Sequence, residues 1–189
     1  GCAWLGFPLR DALLVVVFLG PMWGGGALMT REFVRRTRRG WPAVLLLAAA
    51  FGVFQAGVVD QSLFNPSYGR YDFQHPVHID GIDISLYYLV NFVAGHVVVS
   101  ITLPITLAEA WSRRPSSPWL SRAGLWMVGV LYVLSTLVNH FGVKDEDGHG
   151  FQASPIQVAT ALPVSYTHLR AHETVLDLVC RLLLEKKKL

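Results

Sequence analysis

The sequence predicts an all-α transmembrane helix bundle, and two observations about its charges carry that prediction. Charged residues make up 15% of the 189 residues, whereas soluble domains average about 25%. Four segments contain no Asp, Glu, Lys or Arg, and each is about 20 residues long, the length a helix needs to cross the hydrocarbon of a bilayer. Helices are expected because an open sheet edge would leave backbone groups unsatisfied in lipid. These predicted spans are residues 12–30, 42–59, 86–108 and 123–142.

The first predicted span is rich in glycine. Gly20 and Gly24 form a small-xxx-small pair, which predicts the close approach of a second helix. Pro21 and the triplet Gly24–Gly26 also allow another interpretation, a broken helix whose freed backbone groups line a substrate site. We favour a kinked, tightly packed helix.

The residues at the beginning of the second and third predicted spans are typical of helix N-termini. Trp41-Pro42 predicts the beginning of the second helix, because proline in the first turn forfeits no hydrogen bond. Asp83 or Ser85 is expected to cap the third helix. A fifth uncharged segment, residues 151–164, is too short to cross, so we expect a truncated span there. The predicted membrane domain is therefore residues 1–163, with an incomplete N-terminus because residue 1 is Gly rather than Met.

The last residues differ in character from the rest. Residues 164–188 read VSYTHLRAHETVLDLVCRLLLEKKK and contain three of the four lysines. This string resembles translated sequencing-adapter read-through, almost letter by letter. The resemblance implies that residues 164–189 are an artefactual tail that forms a short helix at most. The alternative is a genuine amphipathic helix, since Val175, Leu176, Val179, Leu182 and Leu183 fall at helical spacing.

The basic residues predict the orientation of the chain. Loops 31–41 and 111–122, with the start of the fourth span, hold eight arginines, whereas the opposite side holds three basic residues. By the positive-inside rule, loops 31–41 and 111–122 are cytoplasmic and loops 60–84 and 143–150 lie outside. The predicted location is the bacterial plasma membrane. The eight arginines are Arg31, Arg35, Arg36, Arg38, Arg39, Arg113, Arg114 and Arg122, and the three opposing residues are Arg10, Arg70 and Lys144.

Polar residues inside the predicted spans are the candidate functional residues, because they are costly in lipid. Gln55, Asn91 and His96 would form a polar site if they converge in the bundle interior. Such a site could bind a polar ligand or relay a proton, since imidazole titrates near neutral pH. The alternative is a neutral His96 that is hydrogen-bonded between helices and contributes about 1 kcal/mol to packing.

The long loop between the second and third spans contains weak candidates for metal ligands. His75, His78, Asp80 and Asp83 are nitrogen and oxygen donors of the kind that zinc accepts. Their spacing matches no metal signature, and Pro76 and Gly81 indicate turns, so a solvated loop is the favoured interpretation and no metal or other cofactor is predicted. The loop is long enough to pack over one end of the bundle, with Leu63, Phe64 and Phe73 as anchors.

The predicted partners are lipids. The basic cluster after the first span is expected to attract anionic lipid headgroups at about 1 kcal/mol per residue. A net charge of +3 gives no support to a nucleic-acid partner. The chain contains no nucleophile elbow, zinc-protease motif or phosphate-binding loop, so no catalytic residue is predicted. The basic cluster consists of Arg31, Arg35, Arg36, Arg38 and Arg39.

Residues 20–66 contain GGGAL, TREFVRR, GWP and QSLFNP. With these pieces the segment resembles a family of uncharacterised bacterial multi-span membrane proteins. Members carry two glutamates where this chain has Gln55 and Ala56, which is similar to the glutamate motif of CAAX-type intramembrane proteases. This chain lacks both carboxylates.

Three functions stay open. The preferred one is a non-enzymatic bundle or complex subunit, in a homo- or hetero-oligomer. The second is a small-solute or proton-coupled transporter that uses Gln55, Asn91 and His96. The third, weakened by the missing carboxylates, is a membrane-embedded hydrolase.

Overall fold

The computed structural model describes residues 9–161, apart from 69–70, 82 and 144–147, and the chain is mostly helical. Its five named α-helices are α1 (Leu9–Arg36), α2 (Trp41–Phe54), α3 (Leu86–Gly95), α4 (Leu103–Trp111) and α5 (Arg122–Val138). Wider π-type turns extend α2 (Gln55–Val59), join α3 to α4 (His96–Thr102) and extend α5 (Asn139–Val143). Two short strands, β1 (His78–Ile79) and β2 (Ile84–Ser85), pair antiparallel in the long loop.

Among the described residues, three helices are long and apolar enough to cross a membrane, which indicates membrane integration. They run Trp41–Val59, Leu86–Trp111 and Arg122–Gly142, and they coincide with the second, third and fourth predicted spans. The helical membrane class is therefore confirmed for these three. The first predicted span lies within α1, which has 28 residues. Its crossing of the membrane stays a prediction.

Two predicted boundaries need correction. The segment 31–41 is mostly helical rather than a loop, because α1 continues to Arg36 and α2 begins at Trp41. Charged side chains at i,i+4 spacing support this extra turn and a half, since Arg36 pairs with Glu32 at 3.1 Å. The predicted fifth span, 151–164, is helical only from 155 to 161 in the described chain, and 162–164 and the 164–189 tail lie outside the described residues.

The first predicted helix is not broken. α1 runs through Pro21 and the glycine triplet as one α-helix, so the interpretation as a discontinuous helix is not supported. No described helix of this chain packs against the predicted pair at Gly24, since a side chain added there would meet nothing within 4 Å, and its packing against another chain stays a prediction. The packed glycines are the next two, because a Cβ at Gly25 would lie 3.6 Å from Tyr132 and one at Gly26 would lie 2.6 Å from the ring of Phe51.

α2 is the central helix of the bundle. In the most apolar stretch of Trp41–Val59, 56% of the residues are buried inside the protein. The corresponding share is 11% in both Leu86–Trp111 and Arg122–Gly142. α1 packs along α5 and also touches α2, while α2 packs against α3 and the His96–Thr102 turn. The two helices with little buried surface therefore present most of their apolar side chains outward.

The buried apolar residues form two clusters, one toward each end of α2. We call these ends the arginine end, which holds residues 31–41 and 109–122, and the loop end, which holds residues 60–85 and 148–154. The arginine-end cluster consists of Ala27, Val34, Ala43, Val44, Ala48, Ile101 and Ile105. The loop-end cluster consists of Val53, Ala56, Leu63, Phe64, Ile84 and Ala161.

Small residues on α2 let its neighbours approach closely. A Cβ placed at Gly52 would lie 3.1 Å from the Cβ of His96 and 3.2 Å from the Cα of Val93. One placed at Gly57 would lie 2.9 Å from the Cβ of Ala161. Because the neighbour of Gly52 is backbone rather than a flexible side chain, that contact fixes the distance between α2 and α3.

We expect Gly52→Ala to lower the free energy of unfolding by about 1–3 kcal/mol, the usual cost of overpacking a helix contact. The matched control is Gly24→Ala, which adds the same methyl group in open space on α1 and is expected to be neutral or stabilising by less than about 1 kcal/mol. Reversible unfolding of the detergent-solubilised protein by increasing SDS measures both values. Equal effects of the two substitutions would contradict the close α2–α3 contact.

Candidate functional site

Gln55 lies at the start of the π-type turn that extends α2 and is only 2% exposed. Its Nε2 donates to the sulfur of Met22 on α1 at 3.3 Å, a weak acceptor. Its Oε1 is buried and has no hydrogen-bond partner among the described residues. A buried amide oxygen without a donor is costly, so this position can accept a hydrogen bond from a water or ligand.

His96 begins the π-type turn between α3 and α4 and faces α2. Its ring meets Phe51 edge to face at 5.6 Å, and its Cβ lies against Gly52. The ring Nδ1 is 2.9 Å from Oγ of Ser100, one helical turn onward. The imidazole is therefore held by its own helix and by an aromatic neighbour, as expected for a packing role, and it does not lie on the exposed face.

Asn91 lies on the exposed side of α3, and its Nδ2 donates to the backbone oxygen of Tyr87 at 2.8 Å. The three predicted site residues thus have separate partners. Gln55 bonds to α1, His96 bonds to Ser100, and Asn91 bonds to its own helix. No hydrogen bond described for the chain joins any two of them.

A second buried polar group lies near the level of Gln55, in the turn that extends α5. Phe51 meets Tyr132 at 6.3 Å, and Val59 accepts from His140 Nδ1 at 2.7 Å, with the same sequence separation in both pairs. This register puts Gln55 level with residue 136. The Oδ1 of Asn139, about one helical turn further toward the loop end, is also buried and has no hydrogen-bond partner among the described residues. The sequence does not pair Asn139 with Gln55, because the register of two helices that are not adjacent in the chain is not readable from one sequence.

The arginine end contains a network of buried charges that the sequence did not predict. Glu32 on α1 is fully buried, at 0% exposure. Its carboxylate accepts the backbone N–H of Trp119 at 2.7 Å and that of Leu120 at 3.3 Å. The same carboxylate pairs with Arg31 and Arg36, each at 3.1 Å. Glu32 therefore binds the 115–120 loop to α1.

Glu109 on α4 completes the network. Arg35 donates to both carboxylate oxygens of Glu109, at 2.8 and 2.6 Å, a bidentate pair. The Nε of Arg31 lies 2.9 Å from Glu109, an ion-pair distance without the alignment of a hydrogen bond. These contacts connect α1 to α4.

Arg31 is the most buried cation described, at 1% exposure. Its Nη2 donates to the backbone oxygens of Pro115 at 2.7 Å and Ser117 at 3.1 Å, and its guanidinium lies 3.2 Å from the centre of the Trp119 ring. Burial lowers the pKa of this guanidinium, while Glu109 and Glu32 oppose the shift. Arginine stays cationic, so the group acts as a fixed positive charge.

The network changes the interpretation of the basic cluster. Arg31, Arg35 and Arg36 are engaged by carboxylates and backbone oxygens of this chain. Arg38 is exposed, and the guanidinium of Arg39 lies 5.7 Å from the Phe33 ring. Attraction of the cluster to anionic headgroups stays a prediction, and Arg38 is exposed to them.

Each histidine of the long loop lies close to one or two aspartates. His75 Nδ1 lies 2.9 Å from Asp72, and His78 Nε2 lies 3.7 Å from both Asp80 and Asp83. The two imidazole rings stack with centres 6.0 Å apart. Within the described residues there is no group of three or more His, Cys, Asp or Glu side chains arranged to hold a metal ion.

The predicted anchors of the long loop are confirmed. Leu63 and Phe64 are 3% and 4% exposed, and Phe73 contacts Tyr88 at 4.9 Å and Phe92 at 5.2 Å between ring centres. The loop is therefore packed onto the bundle between 61 and 65 and exposed between 75 and 81.

Asp60 shapes the turn that leaves α2. Its Oδ1 accepts from the backbone N–H of Ser62 at 2.9 Å and from the Ser62 hydroxyl at 2.8 Å. Burial raises the pKa of the Asp60 carboxyl to about 6, although these hydrogen bonds lower it. Because the pKa is higher in the fold than in an unfolded chain, the stabilisation from the bound proton is complete below about pH 4 and is lost as the pH rises through about 6.

No family model matches this chain, and comparisons with curated proteins and with solved structures find no similar protein.

Proposed function

We propose that this chain is a non-enzymatic integral protein of the bacterial plasma membrane that works as a subunit of a helical assembly. In this proposal α1 is a fourth crossing and the arginine end is cytoplasmic. The resemblance of residues 20–66 to bacterial multi-span membrane proteins supports the choice of membrane. The eight arginines near the arginine end support the orientation.

The observation that carries the assembly is the exposed amide of Asn91 on an otherwise apolar face. α3 and α4 bury little of their apolar surface within this chain. Asn91, Ala94 and Gly95 are all exposed, and a Cβ at Gly95 would meet nothing within 4 Å. A second helix could approach closely over Ala94 and Gly95 and pair with the amide, which lipid tails cannot do. A second copy of this chain is the simplest such partner.

Disulfide cross-linking between copies tests the assembly. In a Cys2→Ser, Cys180→Ser background reconstituted in liposomes, we expect Gly95→Cys to give a cross-linked dimer on mild oxidation. The control is Val130→Cys on α5, which is also exposed, at 54%, but lies on a face without polar or small neighbours of this kind. A Gly95→Cys dimer yield no higher than that of the control would contradict the proposal.

A second function, proton-coupled or small-solute transport, is favoured by the unpartnered oxygens of Gln55 and Asn139. Two buried acceptors about one helical turn apart in height, in the turns that extend α2 and α5, provide a place for a water, a proton carrier or a polar solute. A hydrolase of the glutamate type receives no comparable support, since position 55 offers an amide instead of a carboxylate.

Proton flux measures the transport alternative. If the chain conducts protons, proteoliposomes that contain a pH-sensitive dye should acidify under an imposed potential. Gln55→Leu should reduce the rate at least about tenfold, because it removes a polar group from the pathway. Thr106→Val is the control, an exposed polar residue on α4 that bonds to its own helix, and it should leave the rate unchanged. Vesicles that stay as tight as protein-free ones would contradict proton conduction.

A further inference from the structure

The loop end contains a cavity of about 440 Å³ between the long loop and the segment before the 155–161 helix. The long loop lines the cavity with Phe64, Pro66, Gln74 and Asp83. The later segment lines it with Phe151 and Ser154. Its volume lies within the range of small-molecule sites, about 300–1,000 Å³.

The walls of the cavity are fixed by specific contacts. Gln61 accepts the backbone N–H of Ala153 at 2.9 Å, and Asn65 donates to the backbone oxygen of Gly148 at 3.0 Å. Both side chains are buried, at 4% and 1% exposure. These two hydrogen bonds hold the later segment against the loop, so the cavity is a built feature of the fold.

Gln74 is an independent sign of a ligand. This residue is 8% exposed, and its Nε2 donates to the backbone oxygen of Phe64 at 3.2 Å. Its Oε1 is buried and has no donor among the described residues. A buried amide oxygen normally accepts a hydrogen bond, so a donor supplied from the cavity would remove the cost of leaving this oxygen without one.

The residues that line the cavity indicate which kind of ligand could donate a hydrogen bond to Gln74. Asp83 contributes a carboxylate, Phe64 and Phe151 contribute aromatic rings, and none of the residues that line the cavity in the described chain is basic. Carboxylates and aromatic faces both attract an ammonium group. We propose that this cavity binds a small organic amine, with the ammonium at Asp83 and Gln74 and the apolar body against the two phenylalanines. The proposal does not depend on the assembly proposed above.

Calorimetric titration of the full chain in detergent at pH 8, where imidazole is neutral, tests the site. The probe is phenethylamine, and its matched neutral control is phenethyl alcohol. We expect the amine to bind at least about tenfold more tightly than the alcohol, since a hydrogen bond to a charged group contributes more than one to a neutral group. Equal binding of the two probes, or no saturable binding of the amine, would overturn the proposal.

Two substitutions locate the bound amine. Asp83→Asn should weaken phenethylamine binding about fivefold, since the carboxylate is 68% exposed and solvent screens part of its attraction. Asp72→Asn removes an acid from the same loop outside the cavity and should change it less than about twofold. Phe151→Leu keeps an apolar wall, removes one ring and should weaken binding about threefold.

If Asp83→Asn fails to fold, Phe151→Leu and Asp83→Glu decide the question, since Asp83→Glu keeps the charge and should retain binding. Equal affinity in the wild type, Asp83→Asn and Phe151→Leu would show that the amine binds elsewhere.

Discussion

The buried ion network of Arg31, Glu32 and Glu109 sets the geometry of the arginine end, and through it the arrangement of the helices. Glu32 binds the 115–120 loop, which leads into α5, and Glu109 binds α1 to α4. Charges this deeply buried are tolerated only when each is paired and hydrogen-bonded. The network therefore fixes α1, α4 and the start of α5 relative to one another, while α2 fills the space between them with small residues.

The remaining apolar surface is explained by lipid. α2 can be apolar on all sides because its neighbours cover it, whereas the exposed apolar faces of α3, α4 and α5 require a non-aqueous solvent or another helix. Where a polar group interrupts such a face, as at Asn91, lipid is a poor neighbour and a partner helix is a better one. The loop end differs from the helices, because there the chain uses turns, capping carboxylates and a cavity with polar lining residues.

Much of the fold could be predicted from the sequence because lipid imposes a length and a charge rule on each crossing. The uncharged segments predicted the three long apolar helices within a few residues, and Ser85 was correctly among the expected caps, since its side chain accepts from Tyr88 N–H. The buried polar groups were harder to predict from the sequence. Glu32 and Glu109 lie far apart in sequence, and a single sequence contains no signal that they share one ion network. The glycines that pack inside this chain are Gly25 and Gly26 rather than Gly24, and one residue is about 100° of rotation on a helix. One sequence feature indicates that α1 continues past its apolar segment, the i,i+4 spacing of Glu32 and Arg36, which is typical of an ion pair on a helix.

The most direct measurement is the unfolding free energy of Glu32→Gln, determined by SDS titration beside that of Asp72→Asn. Glu32 is fully buried with four partners, whereas Asp72 is 57% exposed. If the network holds the bundle together, Glu32→Gln costs about 3 kcal/mol or more, because it removes one of the two carboxylates that neutralise the arginines of the network. Asp72→Asn is expected to change the unfolding free energy far less, because its pair with His75 is exposed to solvent. Equal, small effects of the two substitutions would contradict the central role of the network.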